Sequence, residues 1–408
     1  MKAAIPLVLA LACHLPLHAA ANLPAQAAPA AVHSRAAWDA VLASGQPTPL
    51  DALTPYGKRR FLRGLRWGER GLGGFNTIPL TRELTPGQLQ AALHFIDADD
   101  HLAMLSRDLA GPPLRLPAPS TGVESRLDQL ERFAAEDDER RQDAEAAGAT
   151  PDGQAVEQRY RELFHDYMGA AALRRQTLGD LQPLFDAAVL AAEQSPDSPA
   201  FAELLLVHAE LAARGIDTRR TLDDRVLYAM LAARSFEQAQ GFAATRPHLA
   251  HHAVPRVVDT LGPGFQGRSE FRYDAANKTL TRVAAPPPAG TELLMVVGSG
   301  CHFSRDALDA IAGDAALKAR LREAGLTLVV PPRAPIPLAY IADWNAAHPD
   351  LPLRIPAYAR EWQALEVLGT PEFYLLKDGK VIAKRSGWPA EGNRAGLQEL
   401  LDAGRRQQ

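Results

Sequence analysis

Glu292-Leu-Leu-Met-Val-Val297, Gly298-Ser-Gly300, Cys301-His302-Phe303-Ser304 and Arg305-Asp-Ala-Leu-Asp-Ala-Ile311 follow one another without a break. The first run is apolar and long enough for one buried strand, and the last places its apolar residues at helical spacing. The glycines between them force a tight turn. Cys301 therefore falls on the first turn of a helix, where backbone N–H groups carry partial positive charge and favour thiolate over thiol.

Further along stand Gly369-Thr370-Pro371, the strand-like Glu372-Phe-Tyr-Leu-Leu376, a Lys377-Asp378-Gly379-Lys380 turn and a second strand, Val381-Ile-Ala-Lys-Arg385. Asp-Gly between two such runs is a hairpin signal. With a terminal helix from Arg394 to Leu401, these pieces resemble the thioredoxin-like family over Gly290 to Gly404. The resemblance implies that Pro371 is cis and lies against Cys301, and that Thr370 and Pro371 offer backbone groups to an extended substrate. The long segment between Cys301 and Pro371 is similar to that of extended, exported members. Two departures stand out: Ser304 occupies the place of the family's second cysteine, and Gly300 that of the aromatic residue before the first.

A thiolate attacks a disulfide sulfur and forms a mixed disulfide. Ser304 cannot resolve that adduct, although its hydroxyl can donate a hydrogen bond that holds Cys301 ionised. His302 would stabilise the thiolate when charged, while the helix dipole disfavours its cationic form. The expected site is a monothiol made of Cys301, Ser304 and His302, with Thr370 and Pro371 binding substrate. Its partners would be protein thiols or disulfides, or small thiols. It calls for no bound cofactor or metal. A second reading stays open, in which Cys301 is a buried, unreactive thiol and the domain is a redox-inactive binding or scaffold module.

The 408 residues are 47% hydrophobic and 23% charged, with a formal net charge of −4, which gives no reason to expect a nucleic-acid partner. Lys2, the apolar Ala3 to Ala12 and the small residues Ala19-Ala20-Ala21 read as a signal peptide over 1–21 and an exported, periplasmic protein. The alternative is a lipoprotein anchored through Cys13. Only Cys13 and Cys301 exist, so removal of the leader leaves a single thiol, to be flagged as reactive or intermolecular.

The fold expected is an α+β multidomain chain: an all-α N-terminal region followed by a C-terminal α/β thioredoxin-like domain with a mixed central sheet. Residues 22–33 read as a disordered leader and 34–110 as helical, with Gly68 to Gly74 as a loop and Thr85-Pro86 opening a helix. Residues 111–150 read as a proline-rich linker plus a charged, solvent-facing helix or spacer. Residues 151–260 form a helical-hairpin array, since Tyr160, Leu163, Phe164 and Tyr167 recur at helical spacing. Leu227 to Ala239 loosely resembles one tetratricopeptide-type hairpin. Such a surface suits a protein partner. His248, His251 and His252 could bind metal, His248 and His252 sharing a face if the segment is helical, but prolines bracket the run and no carboxylate is close in sequence, so it reads as an interdomain turn. The final domain spans 261–408; a hairpin over Phe271 to Val283 adds edge strands, and Tyr358 to Leu368 reads as a helix.

Overall fold

Threonine–proline pairs start two helices of the N-terminal region. Thr54 and Thr85 are N-caps with proline at the first helical position, and their hydroxyls accept from the N–H groups of Gly57 (3.0 Å) and Gln88 (3.3 Å). The computed structural model describes residues 31–68, 71–146, 154–194, 198–288, 290–365, 369–389 and 391–405. The expected signal peptide and residues 22–30 of the expected leader lie outside the described residues.

Helices α1 (Arg35–Ser44), α2 (Pro55–Gly64), α3 (Ile78–Glu83), α4 (Pro86–Phe95) and α5 (Leu102–Leu105) surround a core that includes Trp38, Phe61, Leu80, Leu89 and Phe95. Strands β1 (Arg66–Gly68) and β2 (Gly71–Gly74) pair antiparallel, so the glycine-rich stretch expected as a loop is a small hairpin. The leader also ends earlier than expected. Val32 is buried in this core, and its N–H donates to the Phe95 carbonyl at 2.8 Å.

The next unit comprises α6 (Thr121–Ala146), α7 (Ala155–Phe164), α8 (Ala170–Leu173), α9 (Leu178–Gln194), α10 (Pro199–Ala213), α11 (Leu222–Ala232) and α12 (Phe236–Ala244). The charged stretch, expected as a solvent-facing helix or spacer, is a helix, and it is packed into this unit rather than standing apart from it. Val123, Leu127, Leu130 and Ala134 of α6 are buried in the same core as Tyr160, Phe164, Phe185 and Leu204. Their spacing is one helical stripe, and the dense charges occupy the remaining faces.

The last unit is built on an eight-stranded sheet. In chain order its elements are β3 (Arg256–Asp259), β4 (Ser269–Asp274), β5 (Thr279–Ala284), β6 (Thr291–Val296), α13 (His302–Gly313) and α14 (Ala315–Glu323), then β7 (Leu326–Val329), α15 (Leu338–Ala347), β8 (Leu353–Pro356), β9 (Glu372–Lys377), β10 (Lys380–Ser386) and α16 (Arg394–Arg405). The strand order is β10-β9-β6-β7-β8-β4-β5-β3. β6, β7 and β8 run parallel, whereas β9 is antiparallel to both β6 and β10. Asp378 and Gly379 turn the β9–β10 hairpin with φ of 50° and 78°, which is why that dipeptide suits it. The hairpin expected near Phe271 to Val283 is β4–β5, and it joins the sheet through β8.

β6 is buried along nearly its whole length, and alternation along it feeds two cores. Leu293, Met295 and Val297 face a core shared with Ala307, Leu308 and Ile311 of α13 and Leu397 and Leu400 of α16. Leu294 and Val296 face a smaller one closed by Trp362 and Leu365. The helix expected over 358–368 is only a single turn, Ala359–Glu361, within the described residues. Trp362 and Leu365 stand three residues apart, as on one helix face. They leave the helical path to cover the sheet, with the Trp362 indole N–H donating to the Ser269 carbonyl at 2.8 Å. The parallel β6–β7–β8 core with an antiparallel β9–β10 hairpin and flanking helices is a thioredoxin-like fold behind a mainly helical N-terminal region, in which the β1–β2 hairpin is the departure from the all-α expectation. No helix among the described residues is long and apolar enough to cross a membrane.

Candidate functional site

The Val297 N–H donates to the Val329 carbonyl at 2.8 Å, so the sheet ladder holds the chain up to the turn. The Cys301 N–H then closes that turn on the Gly298 carbonyl at 3.2 Å. Cys301 is the N-cap of α13, with extended backbone (φ −92°, ψ 117°), and its carbonyl accepts the first helical hydrogen bond from Arg305 at 3.1 Å. Its thiol is half-buried.

Across from it the Thr370–Pro371 peptide is cis, with Pro371 buried and Thr370 half-buried. The Cys301 thiol donates to the Thr370 carbonyl at 2.9 Å. Gly298 makes this approach possible. A Cβ there would stand 2.3 Å from the Thr370 hydroxyl oxygen. The Pro371 carbonyl accepts from the Gly387 N–H at 2.8 Å, which ties the turn to the end of β10.

Ser304 is fully buried, and its hydroxyl oxygen accepts from the Gly298 N–H at 3.1 Å. That leaves its proton for the sulfur. Burial pushes the Cys301 thiol up; the Thr370 and Ser304 hydroxyls, with the N–H groups of Ser304 and Phe303 at the helix end, outweigh burial and bring it below its ordinary value. The two N–H groups are not hydrogen-bonded to the sulfur in this geometry. The Thr370 carbonyl acts the other way, since a thiol can donate to it and a thiolate cannot. The site thus holds a neutral thiol on one acceptor and several donors ready for the ionised form.

His302 is exposed, and its ring lies on that of Phe303 with centroids 3.8 Å apart. Among the described residues no hydrogen bond joins it to the sulfur. The structure therefore brings Cys301, Ser304, Thr370 and Pro371 together and leaves His302 beside them on the surface.

Three features were not picked out from sequence. Gly298 is needed for the close approach of Thr370, a role its reading as a turn glycine did not include. Phe303 is 44% exposed next to the thiol, an apolar surface where the helix pattern offered no reason for one. Glu372, directly after Pro371, is 1% exposed. It accepts from the Tyr374 hydroxyl at 2.5 Å and the Gly369 N–H at 3.4 Å and faces Lys384 at 3.4 Å. It shares the Tyr374 and Leu376 face of β9, away from α13, so it supports the cis turn from the opposite side of the sheet.

No protein-family model matches the chain, and no curated protein matches it. Among solved structures, a thioredoxin-like protein from Bacteroides caccae is 15% identical, with 59% of this chain and 82% of that one covered and a TM-score of 0.22. The C-terminal domain of an uncharacterized protein from Bacteroides fragilis is 12% identical, with 35% and 98% covered and a TM-score of 0.22.

Proposed function

We propose that this chain carries out thiol–disulfide exchange through one nucleophilic cysteine, Cys301, in an exported compartment. The observation that carries the reading is a half-buried thiol at a helix N-terminus, lowered below its ordinary pKa and set against a cis-proline turn. The Cys301 thiolate attacks one sulfur of a substrate disulfide. A Cys301–substrate disulfide forms, and the other sulfur leaves as a thiolate. A second thiolate, from the same substrate, another protein or a small thiol, then attacks the substrate sulfur and returns Cys301 as thiolate. Disulfides are exchanged with no net oxidation. Ser304 and Thr370 hold the ionised sulfur, and the Phe303 ring offers an apolar rest for the incoming chain.

The signal-peptide pattern at 1–21 supports export, because a disulfide exchanger needs a compartment where disulfides persist. The rival reading, a redox-inactive binding module, draws on the 2.9 Å contact of the thiol with the Thr370 carbonyl, which favours the protonated form.

The test is the rate of Cys301 alkylation against pH, with Cys301→Ser as the control. A thiol lowered in the folded state is ionised at lower pH than an unfolded one. The rate midpoint is therefore expected below ~8.5, the value for a free cysteine, and denaturation should move it back up. A midpoint at or above that value, or no labelling until the protein is denatured, would sink the exchange reading.

A further inference from the structure

The first residues of α11 and the turn after α12 gather a set of imidazoles and carboxylates that the cysteine site does not use. Asp223 and Asp224 are both buried. Asp223 is fully engaged: His208 Nε2 lies 2.7 Å from one of its oxygens, and His248 Nε2 (2.9 Å) and Arg246 Nε (3.3 Å) lie near the other. Asp224 faces a different pair. One of its oxygens is 2.8 Å from His252 Nε2 and 4.0 Å from His251 Nε2, and the three ligand atoms all lie within 4.8 Å of one another.

We propose that Asp224, His251 and His252 form a site for a late first-row divalent cation, zinc being the best fit, with a fourth position open to water. Two imidazole nitrogens and one carboxylate are the donors such ions take. Around a tetrahedral zinc, ligand atoms about 2.0–2.1 Å from the metal sit roughly 3.3 Å from each other. The 2.8 and 4.0 Å separations bracket that value, so modest ring movements bring all three to one ion.

The surroundings prepare the ligands. His251 Nδ1 lies 2.9 Å from the His248 carbonyl, which accepts its proton and leaves the Nε2 lone pair on the Asp224 side. Tyr228, one turn after Asp224 on α11, packs edge-on against His252 with centroids 5.2 Å apart and fixes that ring. The two imidazoles face each other at 3.9 Å. Exposure runs from 8% at Asp224 and 12% at His252 to 42% at His251, so the ion enters past His251. Binding moves the His252 proton off Nε2, to Nδ1 or to water. An ion here ties the start of α11 to the turn that runs into β3, the first strand of the C-terminal sheet.

The experiment titrates untagged full-length protein carrying Cys13→Ser and Cys301→Ser with Co²⁺, which removes both thiols as competing ligands and makes the outcome independent of the exchange reading. Expected are a visible ligand-field band saturating at one ion per chain, its displacement by Zn²⁺, and a higher unfolding temperature with Zn²⁺. His251→Ala changes an exposed side chain and Asp224→Asn keeps the shape of a buried one. Each should weaken binding by at least about 100-fold, the upper end of what loss of an outer-shell partner costs. His165→Ala, at an exposed histidine outside the cluster, should bind as the parent does. No saturable binding by the parent, or binding retained in both ligand variants, overturns the proposal.

Discussion

Two seams hold this chain together, and they bury charge in different proportions of ion pair and carbonyl contact. Between residues 34–110 and the helical array most buried cations meet carboxylates, although Arg220, 1% exposed, donates to the Leu84 carbonyl at 2.6 Å. Arg82 of α3, 2% exposed, makes two hydrogen bonds to Asp186 of α9 at 2.7 and 3.0 Å. Arg60 of α2 pairs with Glu131 of α6 at 2.5 Å, and Arg59 and Arg63 reach Glu124 and Asp128 on the same helix. Between the array and the C-terminal domain a single buried arginine meets only carbonyls. Arg234, just beyond α11 with φ of 58°, donates to Ala334 (2.7 Å), Pro332 (3.1 Å) and Ala357 (3.3 Å). Phe236 and Phe271 pack edge to face beside it at 5.6 Å. Burial without a carboxylate pulls the Arg234 guanidinium down to about 10, still charged at neutral pH. An ion pair suffers when either partner is lost; a cation on carbonyls suffers only when the cation is lost.

That difference orders the consequences of substitution. Asp186→Ala leaves Arg82 buried and unpaired, which costs about 3–5 kcal/mol and should accelerate hydrogen exchange in α3 and α9 together. Asp186 is held below the usual carboxylate range: burial raises it, but Arg82 outweighs burial. Its contribution is therefore complete above its unfolded value of ~3.9 and drains away as pH falls below that. Arg234→Met retains apolar bulk but strands carbonyls, a loss of about 1–3 kcal/mol. Faster exchange should appear around 331–334 and 357 with α3 unchanged. At the bottom stands Arg63→Ala, where a solvent-facing partner of Asp128 is removed for at most about 1 kcal/mol. Should Asp186→Ala prove no worse than Arg63→Ala, or should Arg234→Met loosen α3 as much as the domain seam, the contrast is wrong.

The sequence showed the strand–turn–cysteine–helix stretch because every signal in it is local: an apolar run, two glycines and a helical stripe. The β9–β10 hairpin was legible for the same reason, in Asp378-Gly379. β8 was not legible, since Leu353-Arg354-Ile355 gives only three alternating residues between Pro352 and Pro356, too short a run to read, and its strand state comes from β7 and β4 alongside. Trp362 and Leu365 kept helical spacing without forming a helix, because the far face of the sheet claims both. At the site, Cys301 and Pro371 could be placed by resemblance, but the packing of Thr370 over Gly298 arises only once the chain has folded back. The histidines at 248–252 were visible as a group. Their division between Asp223 and Asp224 was not, for those carboxylates come from another helix.

Arg234 also has a place in time. Its acceptors at Pro332, Ala334 and Ala357 lie 98, 100 and 123 residues later in the chain. A ribosome therefore finishes the helical array with the guanidinium made and these three carbonyls not yet translated, the Leu231 carbonyl alone being in place. Until the ribosome has passed Ala357 that cation lacks its full set of acceptors, and the join between the two units waits for the second to be made.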